Sequence, residues 1–132
     1  MLKLKRTELN DDWKKVGIVI PEYAIKGSPK WLHFGGGNIF RVFVAGLQDR
    51  LLSEGLTDSG IAVAECFDEE VITGIYEPYD DLTLAVIMGP EGILQERVIA
   101  SVTESHICSR DMERLVEIAE DPALQKIGRA HV

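Results

Sequence analysis

Apolar residues along this chain keep two different rhythms. Unbroken or nearly unbroken runs at 30–34, 60–64 and 82–88 read as strands, the second of the kind produced by a sheet covered on both faces. After the first run, Ile39, Val42, Phe43, Gly46, Leu47 and Leu51 recur at helical spacing, predicting a helix that buries this stripe along one face of a sheet. Glu54-Gly55 stops that helix, Gly55 suiting the left-handed C-terminal cap. Asn10 is placed to cap a short helix over 11–15, and Asp68 one from 69 to 73, with acids in both first turns. Ser109 is placed to cap a helix whose apolar face is Met112, Leu115, Val116 and Ala119, ending before Pro122. Gly89-Pro90-Glu91-Gly92 makes a tight connection from the 82–88 strand to a second strand over 93–103. A plain doubly wound unit would place a helix there, so this hairpin is an elaboration. Residues 1–29 read as a lead-in, closed by the turn Gly27-Ser28-Pro29.

The junction at 31–41 organises the rest: strand, three glycines, helix. That order is the signature of a dinucleotide-binding βαβ unit. Gly35 lets the chain turn tightly as it leaves the strand, and Gly37 lets the backbone approach a pyrophosphate, where a side chain would fill the phosphate's place. The helix beyond aims unpaired N–H groups and its positive dipole end at the phosphates. Phe40 stands where the third glycine of G-x-G-x-x-G is usual, and short glycine runs also serve as plain turns. The second strand ends in Glu65, where a Rossmann fold accepts the adenosine ribose hydroxyls; a carboxylate there repels a 2′-phosphate and favours NAD over NADP. A solvated acid before an acidic helix start is the other reading of Glu65. The predicted fold is α/β, a Rossmann-like parallel or mixed sheet with helices on both faces, incomplete at its C-terminus.

His33-Phe34-Gly35-Gly36-Gly37-Asn38-Ile39-Phe40-Arg41 resembles the start of the mannitol dehydrogenase family, the long-chain polyol dehydrogenases and hexuronate reductases. That family writes its cofactor turn as H-F-G-x-G-N-(I or F)-x-R and does not require the third glycine. The similarity runs from about Trp31 to Gln125, and the nonapeptide is its specific part. The resemblance implies NAD as cofactor, bound through Phe34, Gly35, Gly36, Gly37, Asn38, Ile39, Phe40 and Glu65. It implies a sugar alcohol or hexuronate as the small-molecule substrate of the full-length protein, in a mannitol/fructose or mannonate/fructuronate type of interconversion. In that family the catalytic lysine, with an asparagine and a histidine nearby, lies in a C-terminal helical domain. No catalytic residue is therefore assigned in this chain, and it is expected to be inactive alone.

Composition narrows the alternatives. The chain has 132 residues, one domain's worth, with 22 acidic against 14 basic side chains and a net charge of −8. Such a surface repels phosphate backbones, so a nucleic-acid partner is not expected. No apolar run reaches the roughly 18 residues that span a bilayer, and the N-terminus lacks a signal peptide's apolar core. Cys66 and Cys108 make neither a disulfide framework nor a metal cluster; a reduced, cytoplasmic protein without a metal is expected. His106 beside Cys108 lacks the further ligands of a zinc site and reads as part of a loop. His33 reads as a packed residue, and Ser101 and Thr103 as structural strand residues that reach a cofactor only if their strand lies beside the first.

The tail Ile127-Gly128-Arg129-Ala130-His131-Val132 is the translation of ATC-GGA-AGA-GCA-CAC-GTC, one frame of a widely used sequencing adapter. The adapter's preceding AG fits a lysine codon, and Lys126 stands there. The expected domain division is thus 1–29 lead-in, 30–125 cofactor-domain portion, and 126–132 non-native tail. Reading the source DNA past the codon for Gln125 tests this: a natural stop codon after Val132 would overturn it. Two other functions fit parts of the sequence. One is a standalone NAD-binding sensor without catalysis, and the other an α/β-hydrolase fragment, since residues 33–37 resemble an HGGG oxyanion loop interrupted by Phe34.

Overall fold

The computed structural model describes residues 1–130. The lead-in contributes α1 (Asp11–Lys15) and β1 (Ile18–Val19). Asn10 caps α1 as its side chain predicts, accepting from the Asp12 N–H. After β2 (Trp31–Phe34) a π-helical segment, Phe40–Val44, runs directly into α2 (Ala45–Ser53). Next come β3 (Ile61–Glu65), α3 (Glu69–Val71), a second π-helical segment Ile72–Tyr76, and the hairpin β4 (Thr83–Gly89) and β5 (Gly92–Ile99). β6 (Val102–Ile107), α4 (Cys108–Glu120) and β7 (Lys126–Arg129) complete the order.

Four of these strands form a parallel sheet in the order β6-β3-β2-β7. Counted along the sheet alone, that is the 3-2-1-4 arrangement of the first half of a doubly wound dinucleotide fold, with its switch point between β2 and β7. β3 explains itself: residues 61–64 are fully buried, with Ile61 and Val63 in one cluster and Ala62 and Ala64 in the other. Alternating side chains go to opposite faces, so both faces must be covered. Phe40, Ala45, Ile72 and Tyr76 cover one, and Leu115 and Ile118 of α4 cover the other.

The hairpin belongs to a second, three-stranded sheet in the order β1-β5-β4. The single strand expected over 93–103 is two strands. Ala100 and Ser101 separate them, letting β5 join the hairpin sheet and β6 the parallel one. Trp13, Ile18, Leu82, Val98 and Ala100 form the core beneath the lead-in.

Two helix faces differ from the sequence expectation. Ile39, Val42, Phe43, Leu47 and Leu51 are exposed, Ile39 at 81% and Phe43 at 64%. Phe40, Ala45, Gln48, Asp49 and Leu52 are buried instead. The reason is the π turn, in which the Ala45 N–H reaches back five residues to the Phe40 carbonyl. One extra residue in the ladder rotates the remainder of the helix by about 100°, which the 3.6-residue template does not anticipate. On α4 the buried residues are Cys108, Leu115 and Ile118, while Met112, Val116 and Ala119 face outward. Non-helical backbone at Asp111 resets that helix after its first turn. Its N-cap is Ile107, without a side-chain cap, and the Ser109 hydroxyl instead donates to Glu69.

Lys126–Arg129, read from the sequence as the start of a non-native tail, occupies the fourth strand position beside β2, with Lys126 Nζ 4.5 Å from the centre of the Trp31 ring. His131 and Val132, the end of that tail, lie outside the described residues.

Candidate cofactor-binding site

The parallel strands deliver Phe34, Glu65, Ile107 and Arg129 to one end of the sheet. In open α/β sheets ligands bind at the carboxyl ends of the strands, beside the switch point. Here the chain leaves β2 through Gly35 at φ +103°, a backbone conformation that favours glycine. A Cβ on Gly35 would also lie 2.8 Å from the Ala130 Cβ. Gly37 differs: a Cβ there would meet nothing within 4 Å. The backbone at Gly37 therefore borders open space at the start of the helix, as close approach by a pyrophosphate requires.

Glu65 is brought to this turn directly. Its Oε1 accepts the Gly36 N–H at 2.5 Å, and the Gly36 carbonyl in turn accepts from the Tyr76 hydroxyl at 2.9 Å. Burial pushes the Tyr76 phenol far above its ordinary value, so it stays a donor at any working pH. Asn38 accepts from the Arg41 guanidinium at 3.2 Å, and Arg41 Nε is buried without a hydrogen-bond partner. The guanidinium carbon lies 5.9 Å from the Tyr76 ring centre. Ile39 stands exposed beside the turn, and Phe40 is buried against His33, ring centres 4.4 Å apart. Phe40 thus fills the space that a third glycine would leave open.

Two cavities flank the turn. One of about 440 Å³ is lined by His33, Gly37, Asn38, Ile39, Phe40 and Arg129, among others. The other, about 630 Å³, is lined by Phe34, Gly35, Glu65, Cys66, Phe67 and Arg129, among others. The eight residues read from the sequence as cofactor-binding therefore gather at one end of the sheet. Phe67 and Tyr76 join them and were missed. Phe67 is 98% exposed, which is unusual for a large aromatic, and its position two residues past the strand-end acid was the available signal.

The cysteines correct the sequence reading. Cys66 and Cys108 are joined by a disulfide, with Cα atoms 4.8 Å apart. β3 and β6 are parallel neighbours with Glu65 opposite Ile107, so the next residue on each strand falls side by side. A separation of 42 residues gave no hint of that pairing.

His106 is on β6, not in a loop. It lies between Glu104 at 2.9 Å and Asp111 at 3.3 Å. Arg114 donates to both Glu104 oxygens at 2.8 and 2.7 Å. The hydrogen bond to Glu104 raises the His106 pKa above the ordinary 6.5, against the opposing effect of burial, with Asp111 adding to the rise. Arg114, then His106, hold Glu104 down at about 2. A histidine raised on folding contributes stability that is complete below about pH 6.5 and is lost as pH climbs through its folded value. His33 is lowered by burial and works in the opposite direction, so the variant comparison isolates the effect. We expect the stability gap between the wild type and His106→Gln to shrink between pH 6 and pH 8.5 in urea titrations. A constant gap would show that the imidazole packs without titrating.

Ser101 is fully buried and donates to the Ala45 carbonyl at 2.6 Å, a structural role. The half-buried Tyr23 hydroxyl donates to Asp49. Among the described residues no group of three or more His, Cys, Asp or Glu could hold a metal ion. No helix among them is long and apolar enough to cross a membrane.

A 3-2-1-4 parallel sheet, a glycine turn opening a helix, and an acid at the tip of the neighbouring strand define a Rossmann-type nucleotide-binding unit. The chain is 45% identical to a D-mannonate oxidoreductase of Thermotoga maritima, a match covering 94% of this chain and 25% of that protein. Its fold matches a D-sorbitol dehydrogenase structure at TM-score 0.79 and 23% identity, over 98% of this chain and 27% of the other. It matches a Pseudomonas fluorescens mannitol 2-dehydrogenase, solved in ternary complex with NAD and D-mannitol, at TM-score 0.71 and 19% identity, over 92% and 26%. No family model matches the chain. It belongs to the mannitol dehydrogenase family, and spans about a quarter of the length of the relatives it matches.

Proposed function

We propose that this chain is the NAD-binding portion of a dehydrogenase that interconverts an alcohol and a ketone on a sugar acid or sugar alcohol. A hexuronate of the mannonate/fructuronate type is favoured, because the curated relative matched at 45% identity is a D-mannonate oxidoreductase. The observation that carries the cofactor reading is the Glu65 carboxylate, held beside the glycine turn at the end of β3. A carboxylate there accepts ribose hydroxyls and repels a 2′-phosphate, which favours NAD over NADP.

The residues present fit the cofactor: Gly37 faces open space, and the helix beginning at 38 points N–H groups toward it. Gly37 and Asn38 would take the pyrophosphate, with Gly35 and Gly36 shaping the turn that presents them, Glu65 the adenosine ribose, and Phe67 the adenine face, with Phe34, Ile39 and Phe40 shaping the walls. NAD, when bound, supplies the hydride acceptor; this chain supplies binding and orientation. The family resemblance places proton transfer in a C-terminal helical domain, and no residue of this chain is assigned to it.

Titration with NAD and NADP tests the reading, with NAD expected to bind more tightly. Phe67→Ala should weaken AMP and NAD by roughly tenfold, since stacking on an aromatic contributes about 1–3 kcal/mol per base. Nicotinamide mononucleotide should be unaffected. Because Phe67 is 98% exposed, its loss leaves the core intact. Equal affinity for NAD and NADP, or no binding of either, would overturn the proposal.

A further inference from the structure

We propose that Tyr76 is a positioning residue that locks the glycine turn in its pyrophosphate-receiving conformation; this rests on the cofactor reading above. Both backbone polar groups of Gly36 are held. Its N–H is taken by Glu65 from β3, and its carbonyl by the hydroxyl of Tyr76, forty residues further along the chain. Tyr76 is 1% exposed and closes the second π-helical segment, packed among Phe40, Val63 and Ile72. Its hydroxyl is therefore fixed by the core, and the turn is fixed by the hydroxyl. A backbone that presents N–H groups to a phosphate gains affinity by being set before the ligand arrives.

The same packing explains why the middle residue of this G-x-G is itself a glycine. A Cβ on Gly36 would lie 3.0 Å from Tyr76 Cε2, 3.1 Å from its hydroxyl and 3.3 Å from Val63 Cγ2. Gly37, by contrast, has nothing within that range. The two glycines thus have separate reasons: Gly36 admits the clamp, and Gly37 admits the ligand.

The test is calorimetric titration of ADP-ribose and of adenosine into the wild type, Tyr76→Phe and Gly36→Ala. Loss of one buried hydrogen bond should weaken ADP-ribose roughly five- to tenfold in Tyr76→Phe. Adenosine, which does not reach the turn, should bind as before. Amide exchange at Gly36, Gly37 and Asn38 should quicken in the variant, while that of β3 stays slow. Gly36→Ala, which displaces the clamp from the other side, should show the same selective loss and serves if Tyr76→Phe does not fold. ADP-ribose binding unchanged in both variants, or lost in step with adenosine, overturns the clamp while leaving the cofactor reading standing. A wild type that binds neither NAD nor ADP-ribose overturns both.

Discussion

Asp49→Ala is expected to lower the unfolding free energy by about 3–5 kcal/mol, the range for removing one partner of a buried ion pair. Asp49 has no exposed surface, and three elements meet on its carboxylate. Arg97 of β5 approaches one oxygen at 2.7 Å with its own side chain only 18% exposed. The Tyr23 hydroxyl and, at 3.4 Å, the Ala100 N–H share the other oxygen. The alanine variant leaves a guanidinium without its counter-charge and a half-buried phenol and a buried amide without an acceptor. Burial, and then the hydrogen bond to Asp49, raise the Tyr23 pKa well beyond its ordinary value, so the phenol stays protonated and donates to Asp49. Asp49→Asn keeps an acceptor and should lose less. Chemical denaturation of the three proteins decides it; an alanine variant within 1 kcal/mol of wild type would mean water replaces the carboxylate freely.

Glu65→Ala is expected to reduce NAD affinity by at least about a hundredfold. Two hydrogen bonds to an ionised group are lost together, each contributing about 1.5–3 kcal/mol. One, to the Gly36 N–H at 2.5 Å, orders the turn; the other is the proposed contact with the ribose. Glu65→Gln retains the geometry without the charge and should sit between, with its preference for NAD over NADP reduced. Fluorescence titration of NADH with the three proteins checks this. A Glu65→Ala variant that binds NADH as the wild type does would assign the carboxylate to the fold alone.

How much of the molecule was legible in its sequence depended on the range of each interaction. The strand–glycine–helix junction is local, so residues 31–41 and the acid at 65 were legible, and with them the fold class. The buried run at 60–64 announced a sheet covered on both faces because burial on both faces erases alternation. Helix phase was misjudged where the ladder departs from 3.6 residues per turn, at Phe40–Val44 and at Asp111, since the periodicity template assumes an unbroken α-helix. The partners of Asp49, Tyr76 and Cys108 lie 26 to 51, 40 and 42 residues away in sequence, and only the pairing of strands brings them together. The hairpin was read as a hairpin, but its departure into a second sheet depends on β1, a two-residue strand too short to register as a pattern.

The Cys66–Cys108 bond closes a covalent ring whose interior holds α3, both strands of the hairpin and β6. The glycine turn, α2 and β7 remain outside it on open chain. When the oxidised molecule unfolds, the ends of β3 and β6 stay tethered, so that side of the crevice has little left to search for on refolding. The opposite side, where β7 meets β2, has no such tether and must be found by closing a loop through the chain on either side of the bond. Order of assembly is thereby written into the covalent structure: one wall of the crevice is kept, and the other is recovered each time.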